Sequence, residues 1–330
     1  MNTRDIILKS LKVIYRKIVR KQFLSPICDL DRQSANDRIY NLLSTSNPCM
    51  IARYGSTEMG TVLNYICIKS DEPFIKKIWN YITDKTEMPW WDEIHLKPME
   101  IWSGVFPISY ELCEKFSKRY IDDSSEIDIL GSFHYTEKFM PLKNETQKIH
   151  LETLYPFFVD RPWTKVLEGK KVLVVHPFAK TISEQYKRRE VLFKNKNILP
   201  TFDLITFKAV QSIAGEKVPY KDWFEALNYM ENEISKIDFD ICILGCGAYG
   251  LPLAAHIKRM GRKAIHMGGG VQLLFGIKGK RWENGNYKWT YKTPIALDIN
   301  YEQLYNENWV RASEDERPKS AEKVEGACYW

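Results

Sequence analysis

The sequence predicts an α/β protein with a Rossmann-like, mostly parallel sheet and helices on both faces. Short apolar runs alternate with segments of helical periodicity along most of the 330 residues, a pattern typical of parallel strands joined by helical crossovers. A second observation is the run ICILGCGAYG, in which apolar residues lead into G-x-G-x-x-G and then into a helical pattern. The apolar content of 44% is ample for the core of such a fold.

The predicted strands follow one another at intervals that leave room for helices. Six segments are predicted to hold strands, and they span residues 49–54, 126–132, 172–175, 201–212, 238–247 and 263–270. One helix is expected to open at Glu58, with Ser56 or Thr57 as its cap, and another to follow Pro177. Residues 70–125 are predicted to form a helical, aromatic-rich segment.

The N-terminal residues 4–24 are predicted to form a basic amphipathic helix. Its apolar residues share one face at helical spacing, and they are Ile7, Leu11, Ile14 and Ile18. Its cations lie opposite, and they are Lys9, Lys12, Arg16 and Arg20. Two interpretations stay open, a helix on an anionic membrane surface or a helix docked on the domain with a solvated basic face. We expect residues 1–24 to be this helix and residues 25–330 to be a single catalytic domain.

Charge and cysteine usage narrow the class of protein. The net charge of +6 favours anionic partners such as phosphates or lipid head groups, and it is too small and dispersed to indicate nucleic acid. The seven cysteines are scattered, as expected for reduced thiols in a cytoplasmic protein. No apolar run reaches the roughly 18 residues that a membrane span requires.

Ligands of open α/β sheets bind beyond the carboxyl ends of the strands. This rule names six segments as candidate binding positions before any motif is interpreted. They are residues 53–58, 132–134, 176–180, 211–212, 245–250 and 266–270.

The glycine loop with Gly245, Gly247 and Gly250 is compatible with several ligands. Glycines permit a tight turn, and the helix that follows offers free N–H groups to a phosphate. A nicotinamide dinucleotide site also needs an acid after the next strand, where KAIHMGG has His266 and no acid. The absence of an acid after this strand also counts against a methyltransferase that uses S-adenosylmethionine. A third interpretation is that the glycines only allow close packing of helix and sheet.

Two segments resemble the GT-D fold glycosyltransferases, a family once known as a domain of unknown function. IARYGSTE is similar to the N-terminal strand and turn of that family, which carries D-x-E in a context like R-F-G-D-G-E. ICILGCGAYGLPLAAHIKRMGRKAIHMGG is similar to its late strand–turn–helix unit. The resemblance implies transfer of a sugar from a nucleotide-diphosphate sugar, with a divalent metal, in the synthesis of bacterial surface polysaccharides. The acceptor would be a glycan or a lipid-linked sugar, and the protein would be cytoplasmic or peripheral on the inner face of the membrane.

The family's second acid corresponds to Glu58, which the resemblance makes the catalytic carboxylate or a metal ligand. Its first acid corresponds to Ser56, beside Gly55. A serine hydroxyl is a far poorer ligand for Mn²⁺ or Mg²⁺ than a carboxylate, so metal use is doubtful. Two further candidates for the base that accepts the acceptor's proton are His134 and His176, both at predicted strand ends.

A departing nucleoside diphosphate requires positive charge. The cations that we expect near it are Arg53, Lys180, Arg188, Lys278, Lys280 and Arg281. Aromatic residues could stack on a sugar or a base, and they include Trp90, Trp91, Trp102 and Phe133. Two rival functions stay open. One is a Rossmann-type oxidoreductase using NAD or a methyltransferase using S-adenosylmethionine, and the other is a non-catalytic protein that binds a nucleotide or a glycan.

Overall fold

A sheet of seven strands dominates the computed structural model, which describes residues 3–19, 26–91, 93–285 and 299–330. The strands of this described part are β1 (Cys49–Ala52), β2 (Ile129–Ser132), β3 (Gln147–His150), β4 (Lys171–His176), β5 (Asp203–Lys208), β6 (Ile241–Leu244) and β7 (Lys263–His266). Their spatial order is β3-β2-β1-β7-β6-β4-β5, and all neighbours pair in parallel. The predicted α/β class with a parallel sheet is therefore confirmed.

Helices connect the strands and cover both faces of the sheet. They are α1 (Thr3–Ile18), α2 (Arg32–Ser44), α3 (Ser56–Lys69), α4 (Phe74–Ile82), α5 (Glu93–Ile101), α6 (Tyr110–Ser124), α7 (Ala179–Tyr186), α8 (Trp223–Ser235), α9 (Gly250–Arg259) and α10 (Gly270–Leu274). The aromatic-rich segment predicted over residues 70–125 contains α4, α5 and α6. Residues 20–24 of the predicted N-terminal helix lie outside the described part of the chain.

Strand β3 was missed by the sequence prediction. Its sequence, QKIH, has no apolar run, and only Ile149 and His150 are buried in it. The strand lies at one end of the sheet, where it pairs with β2 alone among the named strands. An edge strand needs little apolar surface, so periodicity cannot reveal it.

Alternate residues of the central strands belong to two separate hydrophobic layers, one on each face of the sheet. In β1, Ile51 belongs to a layer with α2, α7 and α10, whereas Met50 and Ala52 belong to a layer with α3, α6, α8 and α9. The four residues of β1 are all buried, as expected for a central parallel strand covered on both faces.

The chain leaves β1 and β7 toward opposite faces of the sheet. These two strands are neighbours, with Ile51 paired to Ile265. The loop after β1 leads to α3 in one layer, and the loop after β7 leads to α10 in the other. A crevice therefore opens between the two loops at the carboxyl edge of the sheet, the place where open α/β sheets bind ligands.

The predicted cap of α3 is wrong. The helix already begins at Ser56, its N-cap is Gly55, and no side chain accepts a hydrogen bond there. Ser56 and Thr57 are consequently the first two helical residues rather than caps. Since no side chain accepts a hydrogen bond from the first N–H groups of this helix, these groups remain available to a ligand.

The described part of the chain contains no helix with the length and apolar content needed to cross a membrane. All seven cysteines are free thiols, six of them buried. Burial raises the pKa of these thiols, for example that of Cys113 to about 12. They are therefore protonated and unreactive near neutral pH.

Candidate functional site

A cavity of about 170 Å³ lies at the carboxyl edge of the sheet. Its floor is formed by the segments that follow β1, β6 and β7, with further walls from the ends of β4 and β5. Each of the six segments named from the sequence contributes at least one residue to its wall. The parallel sheet thus brings together positions that are more than 200 residues apart in the chain.

The carboxylate of Glu58 lies against the backbone of Gly55. A Cβ added to Gly55 would come 1.7 Å from Glu58 Oε2, so only glycine leaves room for this side chain. The backbone N–H of Gly55 donates to the hydroxyl of Tyr120 at 3.2 Å. Glu58 is 8% exposed and lines the cavity together with Tyr120. The space at Gly55 therefore admits the Glu58 carboxylate, and the hydrogen bond between Gly55 and Tyr120 holds the neighbouring part of the cavity wall in place.

Two helical N-termini meet at the cavity. In α3 the first intrahelical bond runs from the Met59 N–H to the Gly55 carbonyl, so the N–H groups of Ser56 and Thr57 precede it. After β6, the first bond of the turn Gly247–Tyr249 runs from Tyr249 N–H to Cys246 O, ahead of α9. N–H groups at such ends carry partial positive charge and suit anionic ligand groups.

The three glycines after β6 serve different purposes. Gly247 has φ +57° and lines the cavity, and a Cβ added there would meet no atom closer than 4.0 Å. A Cβ at Gly245 would come 2.6 Å from the ring of His176, and one at Gly250 would come 2.1 Å from the ring of His266. Gly245 and Gly250 thus permit close packing, whereas the Gly247 backbone borders open space.

Both histidines at this edge are neutral near pH 7. Complete burial lowers the pKa of His176 from 6.5 to about 3. Burial also lowers the pKa of His266 to about 3, and the positive charge of Arg53 adds to the effect. The Phe178 N–H donates to His176 Nδ1 at 3.0 Å, which leaves the imidazole proton on Nε2. His176 is therefore a hydrogen-bond donor in the wall and a very weak base, contrary to its predicted role.

Arg53 brings positive charge to the junction of β1 and β7. Its guanidinium carbon lies 5.0 Å from the ring centroid of Phe133. Its Cδ lies 3.5 Å from the position that a Cβ would take on Gly268. Arg53 thus packs along the loop after β7 and lines the cavity from there.

A roof over the cavity is built from Trp102, which directly follows α5, and from the C-terminal segment, residues 321–330. Trp102, which is 46% exposed, lines the cavity and donates its Nε1–H to Lys323 O at 3.2 Å. Arg281 forms an ion pair with Glu325, and its guanidinium lies 4.6 Å from the ring of Tyr329. The aromatic C-terminal end is docked on the domain, since Trp330 is only 5% exposed.

Three buried polar atoms in the cavity wall lack hydrogen-bond partners among the described residues. They are Gln272 Oε1, an acceptor, and Gln211 Nε2 and Trp330 Nε1, both donors. A buried polar atom without a partner costs about 1–3 kcal/mol. A ligand hydroxyl, which can both donate and accept, would relieve this cost.

Besides Arg188 and Gly250, four predicted site residues are absent from the cavity wall in the described part of the chain. His134 caps the single turn Tyr135–Phe139 in a capping box with Glu137, and its ring contacts Thr136. The Lys180 backbone N–H binds the buried carboxylate of Glu316, so the N-terminus of α7 is already occupied. The remaining two are Lys278, which lies 5.5 Å from the ring of Tyr305, and Lys280, whose Nζ is 3.4 Å from Gly326 O.

These positions correct the predicted set of phosphate-binding cations. Of the six that were proposed, Arg53 and Arg281 line the cavity. Arg188 instead donates to Asn308 Oδ1 at 2.8 Å, away from the wall. Gly250 is likewise covered by His266 rather than open to a ligand.

The donor set does not fit a metal held by the protein alone. No group of three or more His, Cys, Asp or Glu side chains in the described residues could hold a metal ion. At the position of the D-x-E motif, Glu58 supplies one carboxylate and Ser56 a hydroxyl, which is weak for Mn²⁺ or Mg²⁺. We therefore derive no chemical step through a metal.

Several wall residues carry no signal in the sequence. Tyr120 lies inside α6, and Gln272 lies inside the short helix α10, so neither stands at a strand end. The only signal in segment 324–330 was its aromatic composition.

Comparison of this chain with protein-family models, with curated proteins and with solved structures found no match in any of the three.

Proposed function

We propose that the protein is a glycosyltransferase that uses a nucleotide-diphosphate sugar as donor. The observation that carries this proposal is the meeting, in one cavity, of the N-terminus of α3 and the turn Gly247–Tyr249, neither with a side-chain cap, together with Arg53 and the Glu58 carboxylate. The other carboxylate of the lining, Glu325, forms an ion pair with Arg281. The motif resemblance to GT-D fold glycosyltransferases favours the same function. The acceptor would be a glycan or a lipid-linked sugar of a bacterial surface polysaccharide.

The diphosphate is best accommodated at the turn after β6. The N–H groups of Gly247 and Ala248 lie at the start of a helical segment, and this turn has no acidic side chain. Arg53 adds a full positive charge at the cavity. Fixed N–H groups and a cation would stabilise the charge that develops on the leaving diphosphate.

Glu58 is the group best suited to accept the proton of the acceptor hydroxyl. Its carboxylate stands at the N-terminus of α3, where a negative charge is favoured. His176 and His134 are poorer candidates, the first because its pKa is about 3 and the second because it lies outside the cavity. General base catalysis by one carboxylate contributes about 10²–10⁴ in rate.

A hydroxylated ligand also suits the unpartnered atoms of the wall. Gln272 Oε1 could accept from a sugar or ribose hydroxyl, and Trp330 Nε1 could donate to one. The exposed ring of Trp102 at the roof offers a stacking surface for a second sugar. We propose that the acceptor binds on the side of Trp102.

A non-catalytic nucleotide-binding or glycan-binding protein is the second candidate. It is favoured by one observation, the serine at position 56 where the resembled family has an acid. Such a protein would bind the same donors in the same cavity without consuming them. An oxidoreductase or a methyltransferase receives less support, since the end of β7 offers no acid for ribose hydroxyls.

Thermal unfolding with added ligands tests the proposal directly. We expect UDP or another nucleoside diphosphate to stabilise the protein, whereas NAD and S-adenosylmethionine do not. A ligand at about 100 times its Kd adds about 2.7 kcal/mol to the free energy of unfolding. The reverse pattern of stabilisation would rule out the proposed donor class.

A screen of nucleotide-sugar donors then separates enzyme from binding protein. Release of the nucleoside diphosphate would be followed with Mn²⁺, with Mg²⁺ and with EDTA. Turnover in EDTA would show that no metal is needed, and turnover only with a metal would assign it to the donor complex. Binding without turnover of any donor would favour the second candidate. We further propose a cytoplasmic protein held peripherally at the inner face of the membrane, where a lipid-linked acceptor resides.

A further inference from the structure

Helix α1 directs two of its cations toward the protein. Arg16 Nη2 lies 2.7 Å from Asp84 Oδ1, and Lys12 Nζ lies 3.2 Å from the same atom. The Asp84 side chain is only 3% exposed. Its pKa falls to about 2, because hydrogen bonds from Arg16 and the charges of Lys12 and Arg16 outweigh the effect of burial. The basic side of α1 is thus partly a packing surface, contrary to the solvated basic face considered from the sequence.

The apolar stripe of α1 faces outward instead. Its four members are Ile7, Leu11, Ile14 and Ile18, which are 55%, 42%, 51% and 75% exposed. The one buried residue of α1 is Leu8, which packs with Tyr81 and Met88. A helix in water normally turns its apolar stripe toward the core. Within the described residues this stripe therefore lacks the cover that its sequence pattern calls for.

Helix α4, on which α1 packs, exposes further large apolar side chains. Leu8 of α1 contacts the cluster that includes Ile78 and Ile82 of α4. On the same helix Phe74, Ile75 and Trp79 are 58%, 83% and 58% exposed. Exposed apolar residues concentrated on two packed helices mark an interaction surface.

The net charge of the chain is concentrated in the N-terminal segment that contains α1, contrary to the dispersed charge expected above. The first 24 residues hold seven Lys and Arg residues and one Asp, so they account for the whole net charge of +6. The remaining 306 residues are neutral overall. Basic residues next to an amphipathic helix attract anionic lipid.

We propose that α1 and α4 form a docking surface for an anionic lipid bilayer. The outward stripe of α1 enters the interface between head groups and acyl chains, and basic residues of the segment other than Lys12 and Arg16 bind lipid phosphates. Lys12 and Arg16 orient the stripe by holding α1 to Asp84 rather than by contacting lipid. This inference specifies the surface behind the peripheral location proposed above, and its test is independent of sugar transfer.

Flotation of the full chain with lipid vesicles tests the surface. Vesicles of phosphatidylcholine alone are compared with vesicles containing phosphatidylglycerol, in the absence of any nucleotide sugar. The double variant Ile7→Ser/Ile14→Ser removes two members of the stripe. The matched control is Ile6→Ser/Val13→Ser, since Ile6 and Val13 are similarly exposed, at 46% and 48%, on another side of the helix.

We expect the native chain to float with anionic vesicles only. The stripe variant should bind them at least about tenfold more weakly, since it removes apolar surface that the bilayer would bury. The control should change binding less than threefold, and both variants should unfold at the native temperature. Equal losses in the two variants, or equal binding to uncharged vesicles, would overturn the proposal. Self-association through the stripe without vesicle binding would assign the surface to a second copy of the chain instead.

Discussion

The Glu58 carboxylate occupies the space directly above the Cα of Gly55, in the turn that joins β1 to α3. A Cβ on residue 55 would come 1.7 Å from Glu58 Oε2, far closer than any real contact. The same glycine donates its N–H to Tyr120, which lines the cavity beside Glu58. One small residue thus sets the position of the proposed base.

Replacing Gly55 with alanine should abolish activity without unfolding the protein. The new methyl group would push the Glu58 carboxylate out of its place. Donor turnover is expected to fall at least about a hundredfold, the lower range for loss of a general base. The control is Gly169→Ala, where φ is +69° and no atom lies within 4 Å of the added Cβ. It should lose about 1 kcal/mol of stability and keep its activity, and full activity of Gly55→Ala would contradict the placement.

Replacing Glu58 with glutamine should separate catalysis from binding. The amide keeps the size of the side chain and removes the proton acceptor, so kcat should fall about 10²–10⁴-fold. Stabilisation by a nucleoside diphosphate should persist, because the N–H groups after β6 are unchanged. Ser56→Ala serves as the control and should leave kcat within about threefold. If Glu58→Gln turns over donor at the native rate, Glu58 is not the base.

Acidification should weaken the fold partly through His176. Its pKa is about 3 in the folded protein and 6.5 in the absence of burial. Below pH 6.5 the His176 imidazole therefore becomes protonated in the unfolded chain but stays neutral in the folded chain. The free energy of unfolding consequently falls as pH falls. The slope reaches up to about 1.4 kcal/mol per pH unit for this residue.

The variant His176→Asn tests that assignment. Asparagine offers an oxygen near the position of Nδ1, so it can still accept from the Phe178 N–H. Urea unfolding at pH 7 and pH 5 should show a smaller loss of stability in the variant than in the native protein. An equal loss would mean that His176 is protonated in the folded state as readily as in the unfolded chain.

Trp102 should affect the acceptor and not the donor. Its ring lies at the roof of the cavity and is held by a hydrogen bond to Lys323 O. Trp102→Ala should raise the KM for a soluble glycan acceptor about tenfold, the effect of losing one stacking contact of about 1.4 kcal/mol. Thermal stabilisation by nucleoside diphosphate should be unchanged. Trp79→Ala is the control, since Trp79 is 58% exposed on α4; an equal change in both variants would refute the role.

The sequence revealed those parts of the fold that depend on local pattern. Six strands were found because β1, β2, β4, β6 and β7 are short apolar runs, while β5 carries a weaker run at the other edge. Strand β3 was not predicted because Gln147 and Lys148 are polar and the strand lies at the sheet edge. The rule that ligands bind at strand ends located the cavity before any geometry was known.

Other features of the site depend on contacts between distant residues. No pattern could show that the carboxylate of Glu316 would occupy the N-terminus of α7 and keep Lys180 from the cavity. Nor could periodicity tell which side of α1 faces the domain, since that choice rests on Asp84 and its two cations. Sequence spacing gives the faces of a helix, and tertiary packing decides which face is used.

Three consecutive glycines after β7 pack against side chains from three remote parts of the chain. A Cβ at Gly269 would come 2.6 Å from the ring of Tyr329, and one at Gly270 would come 2.2 Å from the ring of Tyr155. Arg53 packs beside Gly268. During synthesis the nascent chain can therefore form β1, β2 and β3 early, but the cavity has to wait for the segment around Tyr329. Until β7 is made, ribosome-bound chains carry an open sheet edge at β1, and unpaired strand edges make folding intermediates prone to aggregation.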